Sequence, residues 1–239
     1  MSIIRTLKNT VARTRSILRD EGRVALVRRA AGFGRFLSRS LCSQRDVYLY
    51  RHHLIERDRS LYLPRLDSFE LRIVETDVEA DRLAVDGYED FRQRFIGTTG
   101  SLEAGAVAFC VFVDKKLAHI GWLAVDERGK PHADPCPFQV AFHDGEACTG
   151  GTYTMPEFRG KGLMAYGYYE RFEYLRRKGF RSTRNSVEVD NVSSHRAHAK
   201  FSPEILGRAH SRRILWWSTW TERLFPDGPY IGMPPAADR

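Results

Sequence analysis

The sequence predicts an α+β fold: a mixed, mainly antiparallel, twisted sheet flanked by helices, with a basic helical extension at the N-terminal side. Three observations point there. Strand-like segments come first, followed by strand–helix–strand–helix–strands, an order that builds a mixed sheet. Of the 239 residues, 42% are hydrophobic and 12% aromatic, enough for the core of one domain. The net charge of +8 belongs to residues 1–39, which hold ten Lys/Arg against two acids and leave 28 of each sign elsewhere. The expected boundaries are 1–45 for the extension, 46–225 for the domain and 226–239 for an irregular tail.

Residues 1–40 read as helix. Ile4, Leu7, Val11 and Leu18 share one face, with Arg5, Lys8, Arg15 and Arg19 beside or opposite it. Gly22 and Gly32-Phe33-Gly34 break it into pieces. Residues 46–50 read as a short strand and 54–68, charged and holding Pro64, as a connecting loop. Residues 69–74 alternate apolar and polar, the strand period. Residues 76–95 read as helix, with Gly87 as an interruption. Residues 105–113 and 117–125, joined through Asp114-Lys115-Lys116, read as a hairpin. Turn residues fill 126–137, and 138–142 and 147–155 are the next strands. Residues 162–178 form a helix with Ala165, Tyr168, Tyr169, Phe172 and Leu175 as its apolar positions. Arg176, Arg177 and Lys178 suit its C-terminal dipole, and Gly179 ends it. A strand at 184–190, a short helix to Phe201 and strands at 205–210 and 213–221 complete the domain.

The most informative stretch is Pro156-Glu157-Phe158-Arg159-Gly160-Lys161-Gly162-Leu163-Met164, between a strand and a helix. A glycine turn that opens a helix gathers backbone N–H groups and the positive end of the helix dipole, which makes an anion site. Arg159 and Lys161 add charges suited to phosphate. The spacing is neither that of a Walker loop nor that of a dinucleotide fingerprint.

With the following strand and Asn191-Val192-Ser193-Ser194, the chain resembles the GCN5-related N-acetyltransferase (GNAT) family over about 69–221. That family binds the acyl-CoA pyrophosphate through [RQ]-x-x-G-x-[GA]. Arg159 and Gly162 match it, and Met164 departs from the small last residue. The resemblance implies acetyl-CoA, or another acyl-CoA, as co-substrate and a small-molecule amine as acceptor. It places Thr154 and Met155 beside the acetyl and pantetheine groups and gives the pyrophosphate to Arg159, Gly160, Lys161, Gly162, Leu163 and Met164. It sets Asn191 and Ser194 along the cofactor arm. The family's tyrosine acid falls on His198, with His195 one turn earlier as its competitor. For the base, Glu188 is the first choice and Glu146 the second; an ungapped match falls on Ser186. A looser resemblance, to GNAT-like proteins of bacterial exopolysaccharide and cell-surface biosynthesis, implies an amino sugar or envelope precursor as acceptor. Protein or peptide acetylation and a non-catalytic acyl-CoA-binding module are the other readings.

Other chemistry finds no support in the residues. The four cysteines lack metal or redox spacing, His52-His53 lacks further ligands, and no metal is expected. No apolar run is long enough to span a membrane. The charge of the extension comes with no nucleic-acid reader motif, so no nucleic acid is expected. Three readings fit residues 1–39: docking on an anionic membrane surface, packing on the domain, or targeting. A cytoplasmic enzyme, peripheral at the inner membrane face if the extension docks there, is the expected setting.

Overall fold

The computed structural model describes residues 42–94, 100–214 and 217–235. The predicted helices of 1–40 lie outside these residues. The larger of two compact units, Asp46–His210 with Trp220–Arg239, contains the core and the candidate site.

Nine described strands form one mixed sheet: β1 (Cys42–His53), β2 (Glu70–Val74), β3 (Val107–Val113), β4 (Lys116–Ala124), β5 (Glu146–Thr154), β6 (Ser182–Glu188), β7 (Glu204–Ile214), β8 (Trp217–Leu224) and β9 (Tyr230–Ile231). The spatial order is β2-β3-β4-β5-β6-β1-β7-β8, with β9 beside β7. The ladders β1–β6, β2–β3, β3–β4, β4–β5 and β7–β9 are antiparallel, and β5–β6 is parallel. A parallel neighbour needs a crossover. Here it is made by the helix Leu163–Arg177.

Strand β1 is longer than the predicted 46–50 and lies inside the sheet. Val47, Tyr48, Leu49 and Tyr50 are all buried, so both faces of the strand are covered. A continuous apolar run is the pattern of such a strand. Alternation separates the two faces of the central sheet. Phe109, Leu123 and Ala147 pack with Tyr168, Phe172 and Leu175. Ala108, Ile120, Trp122 and Cys148 pack on the other side with Ala133, Cys136 and Phe138.

The helices are α1 (Asp77–Val85), α2 (Phe91–Arg94), α3 (Lys130–Ala133), α4 (Leu163–Arg177) and α5 (Val192–Ala199). Helix α1 starts in a capping box, in which Thr76 Oγ1 accepts from Glu79 N–H and Glu79 accepts from Thr76 N–H. The helix predicted over 76–95 with an interruption at Gly87 is broken there: the chain turns at Asp86 and Gly87 before α2. Residues 138–142 are not the strand that was predicted. Phe138 and Val140 are buried while Gln139 is exposed. That alternation comes from a loop laid on the core. Two of its backbone groups bond to side chains: Gln139 C=O accepts from Arg184, and Ala141 N–H donates to Glu146. The predicted irregular tail contains β9, which pairs with Glu204 and Ile205.

Candidate functional site

The site begins where two strands part. The parallel register of β5 and β6 runs through Glu146↔Ser182, Ala147↔Thr183 and Cys148↔Arg184, and stops. Strand β5 continues to Thr154 and β6 to Glu188. Thr183 Oγ1 donates to Thr149 Oγ1 across 3.2 Å at the throat. Beyond it, among the described residues, no strand pairs with the facing edges. On its other side β5 pairs with β4, with a register shift between Ile120 and Trp122. Gly121 therefore faces two residues, Gly151 and Thr152, and Gly151 takes φ +51°. A bulge next to a parting of strands re-aims backbone groups.

After Thr154 the chain makes a short 3-10 turn, Pro156–Phe158, and enters α4 through Gly160 (φ +75°) and Gly162 (φ +86°). Left-handed conformations at both positions suit glycine alone. Gly162 caps α4 with no side-chain hydrogen bond, so the first-turn N–H groups have no side-chain acceptor at the cap. The segment after β1 lies across this turn: Arg65 N–H donates to Lys161 C=O at 2.9 Å, and the Arg65 guanidinium donates to Gly160 C=O at 2.8 Å. Arg159 folds back, donating to Thr154 C=O (3.2 Å) and lying 5.7 Å from the Tyr153 ring centroid. Leu163 is buried, and Met164 packs against the core beneath α4. Its size is thus accommodated in helix packing, outside the turn itself. Met155 is buried. Thr154 Oγ1 is hydrogen-bonded to His119 Nδ1 at 2.8 Å.

The face of β6 toward α4 and α5 carries Thr183, Asn185 and Val187. His198, from α5, is fully buried there. Its Nδ1 is hydrogen-bonded to His52 Nε2 (2.9 Å), its Nε2 lies 3.3 Å from Asn185 Nδ2, and its ring centroid is 4.4 Å from that of Tyr168. Burial, reinforced by neighbouring positive groups, lowers its pKa well below the usual histidine value and keeps it neutral. His195 is also buried: it donates from Nε2 to Val189 C=O and accepts from Tyr50 O–H at Nδ1. Asn191 caps α5, its side chain accepting from Ser194 N–H, and Ser194 is buried one turn along.

The opposite face of β6 carries Arg184, Ser186 and Glu188. Glu188 is exposed at the strand end. Glu146 is buried and bound by Arg51 and Arg184. Facing Ser186 stands a residue absent from the sequence reading, Asp134. Its Oδ2 accepts from Ser186 N–H (2.8 Å) and Ser186 Oγ–H (2.7 Å), and its Oδ1 from Cys136 N–H (2.9 Å). Burial pushes its carboxyl above the usual range; those hydrogen bonds and the Lys130 charge pull the other way without cancelling it. Helix α3 brings Asp134 there. A Cβ on Gly150 would lie 2.4 Å from Ala133 C=O, so α3 sits directly on β5.

Arg171 and Tyr168 were also missed in these roles. The sequence marks Tyr168 only as an apolar helix position. Arg171 is wholly buried under β4 and β5, and its guanidinium lies 4.1 Å from the Tyr168 ring centroid. Thr152 Oγ1 lies 3.4 Å from the Tyr168 hydroxyl. Burial raises the pKa of Tyr168 and keeps its proton on at neutral pH. The usable signals were Gly167 inside a helix and Gly121, Gly150 and Gly151 inside strands, each marking a close approach.

Among the described residues no cluster of three or more His, Cys, Asp or Glu is placed to hold a metal ion. No described helix is long and apolar enough to cross a membrane. No protein-family model and no curated protein matches the sequence. Among solved structures, the chain is similar to a tandem GNAT protein of the clavulanic acid biosynthesis pathway, with TM-score 0.47, 16% identity, and coverage of 75% of this chain and 54% of that one. It is also similar to a functionally unknown conserved protein from Staphylococcus epidermidis, with TM-score 0.45, 11% identity, and coverage of 90% and 81%. A GCN5-related N-acetyltransferase from Sphaerobacter thermophilus gives TM-score 0.43, 13% identity, and coverage of 80% and 56%. The chain thus spans just over half of the two acetyltransferase chains, at 54% and 56%. At such identities and TM-scores the function rests on the chain's own residues.

Proposed function

We propose that this protein is an acyl-CoA-dependent N-acyltransferase of the GNAT type, moving an acetyl group from acetyl-CoA to a small-molecule amine. One observation carries the reading. The parallel strands β5 and β6 part after Cys148 and Arg184, and the freed β5 runs into the glycine turn at the head of α4. An opening between strands that ends on an anion site suits an extended thioester with a pyrophosphate at its far end.

Residues 160–164 and the charges of Arg159 and Lys161 hold the pyrophosphate. Thr154 and Met155 border the pantetheine arm on β5, and Asn191 and Ser194 border it from α5. The acceptor enters from the α3 face, where exposed Glu188 draws a cationic amine toward Asp134. A carboxylate with a raised pKa is suited to accept a proton near neutral pH. In the transfer, the ammonium first gives one proton to water; the neutral amine nitrogen then forms a bond to the thioester carbon and loses its second proton to Asp134. The C–S bond breaks, and sulfur leaves with its electron pair and takes a proton. The donor of that proton comes from the Tyr168–His198 pair; Tyr168 is the member that keeps a transferable proton at neutral pH. The resemblance alone supports an amino sugar or envelope precursor as acceptor.

The test is release of free CoA from acetyl-CoA in the presence of amino sugars, polyamines, amino acids and peptides. Amine-dependent release with acetylated product supports the proposal. A folded protein that neither binds acetyl-CoA nor releases CoA with any of them sinks it.

A further inference from the structure

Arg171 is a full charge in the core with no carboxylate beside it. It is 0% exposed. Its Nε donates to Gly167 C=O (3.0 Å), Nη1 to Trp122 C=O and Gly150 C=O (3.2 Å each), and Nη2 to Thr152 Oγ1 (3.2 Å). No described Asp or Glu pairs with it, and its guanidinium lies over the Tyr168 ring. Burial lowers its pKa, yet a guanidinium stays charged in a protein. A buried charge without a partner is costly, so an arrangement that keeps one needs a reason.

The surroundings are shaped to admit it. A Cβ on Gly121 would lie 2.5 Å from Arg171 Nη1, and one on Gly167 would lie 2.5 Å from His119 Nε2. Two glycines thus let α4 press against β4 and let the guanidinium reach through. What it grips is the β5 bulge: Gly150 before it, Thr152 within it, and Trp122 across from it. The bulge is on the β4 side of β5, in the stretch past Cys148 whose opposite edge is freed from β6 and faces the proposed thioester.

We propose that Arg171 is a positioning residue of the acyl-transfer site: it locks the β5 bulge, and through it supplies the positive field that meets the negative charge building on the acyl oxygen. The inference rests on the acyltransferase reading. As the amine adds to the carbonyl carbon, the C=O π pair moves onto oxygen; it returns as the C–S bond breaks and sulfur leaves with its pair. A fixed, water-excluded charge acts on that oxygen without reorganising. Because Arg171 does not touch the substrate, its loss leaves binding largely intact and slows the chemistry.

The experiment uses the full chain and carbonyl-¹³C acetyl-CoA. In wild type, the infrared C=O stretch of the bound thioester falls below that of free acetyl-CoA. In Arg171→Met the shift disappears, kcat falls about 100-fold, and the acetyl-CoA affinity changes less than about threefold. Arg171→Lys restores part of the shift and rate. Gly121→Ala displaces the guanidinium without removing its charge; it loses the shift too, and it decides the matter if Arg171→Met does not fold. Wild type that binds acetyl-CoA with an unshifted carbonyl, or folded variants with an unchanged shift and kcat, overturn this inference alone. Wild type that does not bind acetyl-CoA overturns the acyltransferase reading with it.

Discussion

Asp134 and Tyr168 stand on opposite faces of the parted strands, one with a place for a proton and one with a proton to give. Replacing Asp134 with Asn removes the acceptor and keeps a similar shape. It lowers kcat/KM by about 10²- to 10⁴-fold. Wild-type activity rises with pH through the raised Asp134 titration, and in the variant that rise is lost. An unchanged pH–rate profile in Asp134→Asn would assign the base elsewhere. Tyr168→Phe keeps the ring against Arg171 and His198 and removes only the hydroxyl. It lowers kcat about 10-fold or more while acetyl-CoA binding stays within about twofold; a stopped-flow measurement of CoA release checks this. Unaltered turnover would return the proton to another donor. Neither residue's role was legible in the sequence. Asp134 sits in a turn-rich stretch, where an acid ordinarily faces solvent, and only the tertiary seat of α3 on Gly150 turns it inward. Tyr168 was visible as an apolar position and silent about its hydroxyl.

Among the elements, the glycine turn and α4 were readable because their signals are local: two glycines, two cations, an apolar stripe and a terminal Gly179. The strand predicted over 138–142 failed because alternation reports burial on one side, whether the backbone pairs with a strand or with side chains. The parting of β5 and β6 depends on register, which no local pattern encodes, although Gly150-Gly151 marked the bulge within it. That pair makes a specific prediction. In Gly150→Ala, the new methyl meets the Ala133 carbonyl at 2.4 Å, a backbone contact with little room to yield. The α3 segment is pushed off β5, at a cost of about 1–3 kcal/mol in stability. Asp134 moves from Ser186, and activity falls further than the stability loss explains. Urea unfolding alongside the CoA-release assay separates the two effects. Wild-type stability and rate in this variant would contradict the seating of α3.

For the whole molecule, the buried histidines set the response to acid. Desolvation first, then nearby positive groups, pushes His52 and His119 down to about 3, and His198 is also held well below its usual value. The unfolded chain takes up protons near pH 6.5 that the folded chain refuses, so their contribution is complete above that pH. It is lost as pH falls from about 6.5 toward 3, at up to ~1.4 kcal/mol per pH unit for each histidine. Asp134, with its raised value, acts in the opposite sense: its contribution is present at low pH and fades as pH rises past the carboxylate range. The urea midpoint accordingly drops between pH 7 and pH 4, and His119→Asn flattens the drop; a midpoint constant over that range would contradict the burial of these rings. At this scale the sequence conveyed the α+β class but not the place of β1, because a strand's neighbours are chosen by the whole sheet. The +8 extension belongs here too. Liposomes of anionic lipid are expected to float the full chain and not one lacking residues 1–39, with flotation lost in high salt. Acyl-CoA binding at the glycine turn is tested by isothermal titration of acetyl-CoA into wild type and Gly162→Asp. The variant places a carboxylate at the head of α4, where the pyrophosphate is expected to lie. Wild type is expected to bind saturably, one to one, and the variant at least about tenfold more weakly, with circular dichroism unchanged. Equal affinity in the two proteins, or no binding by folded wild type, would contradict it.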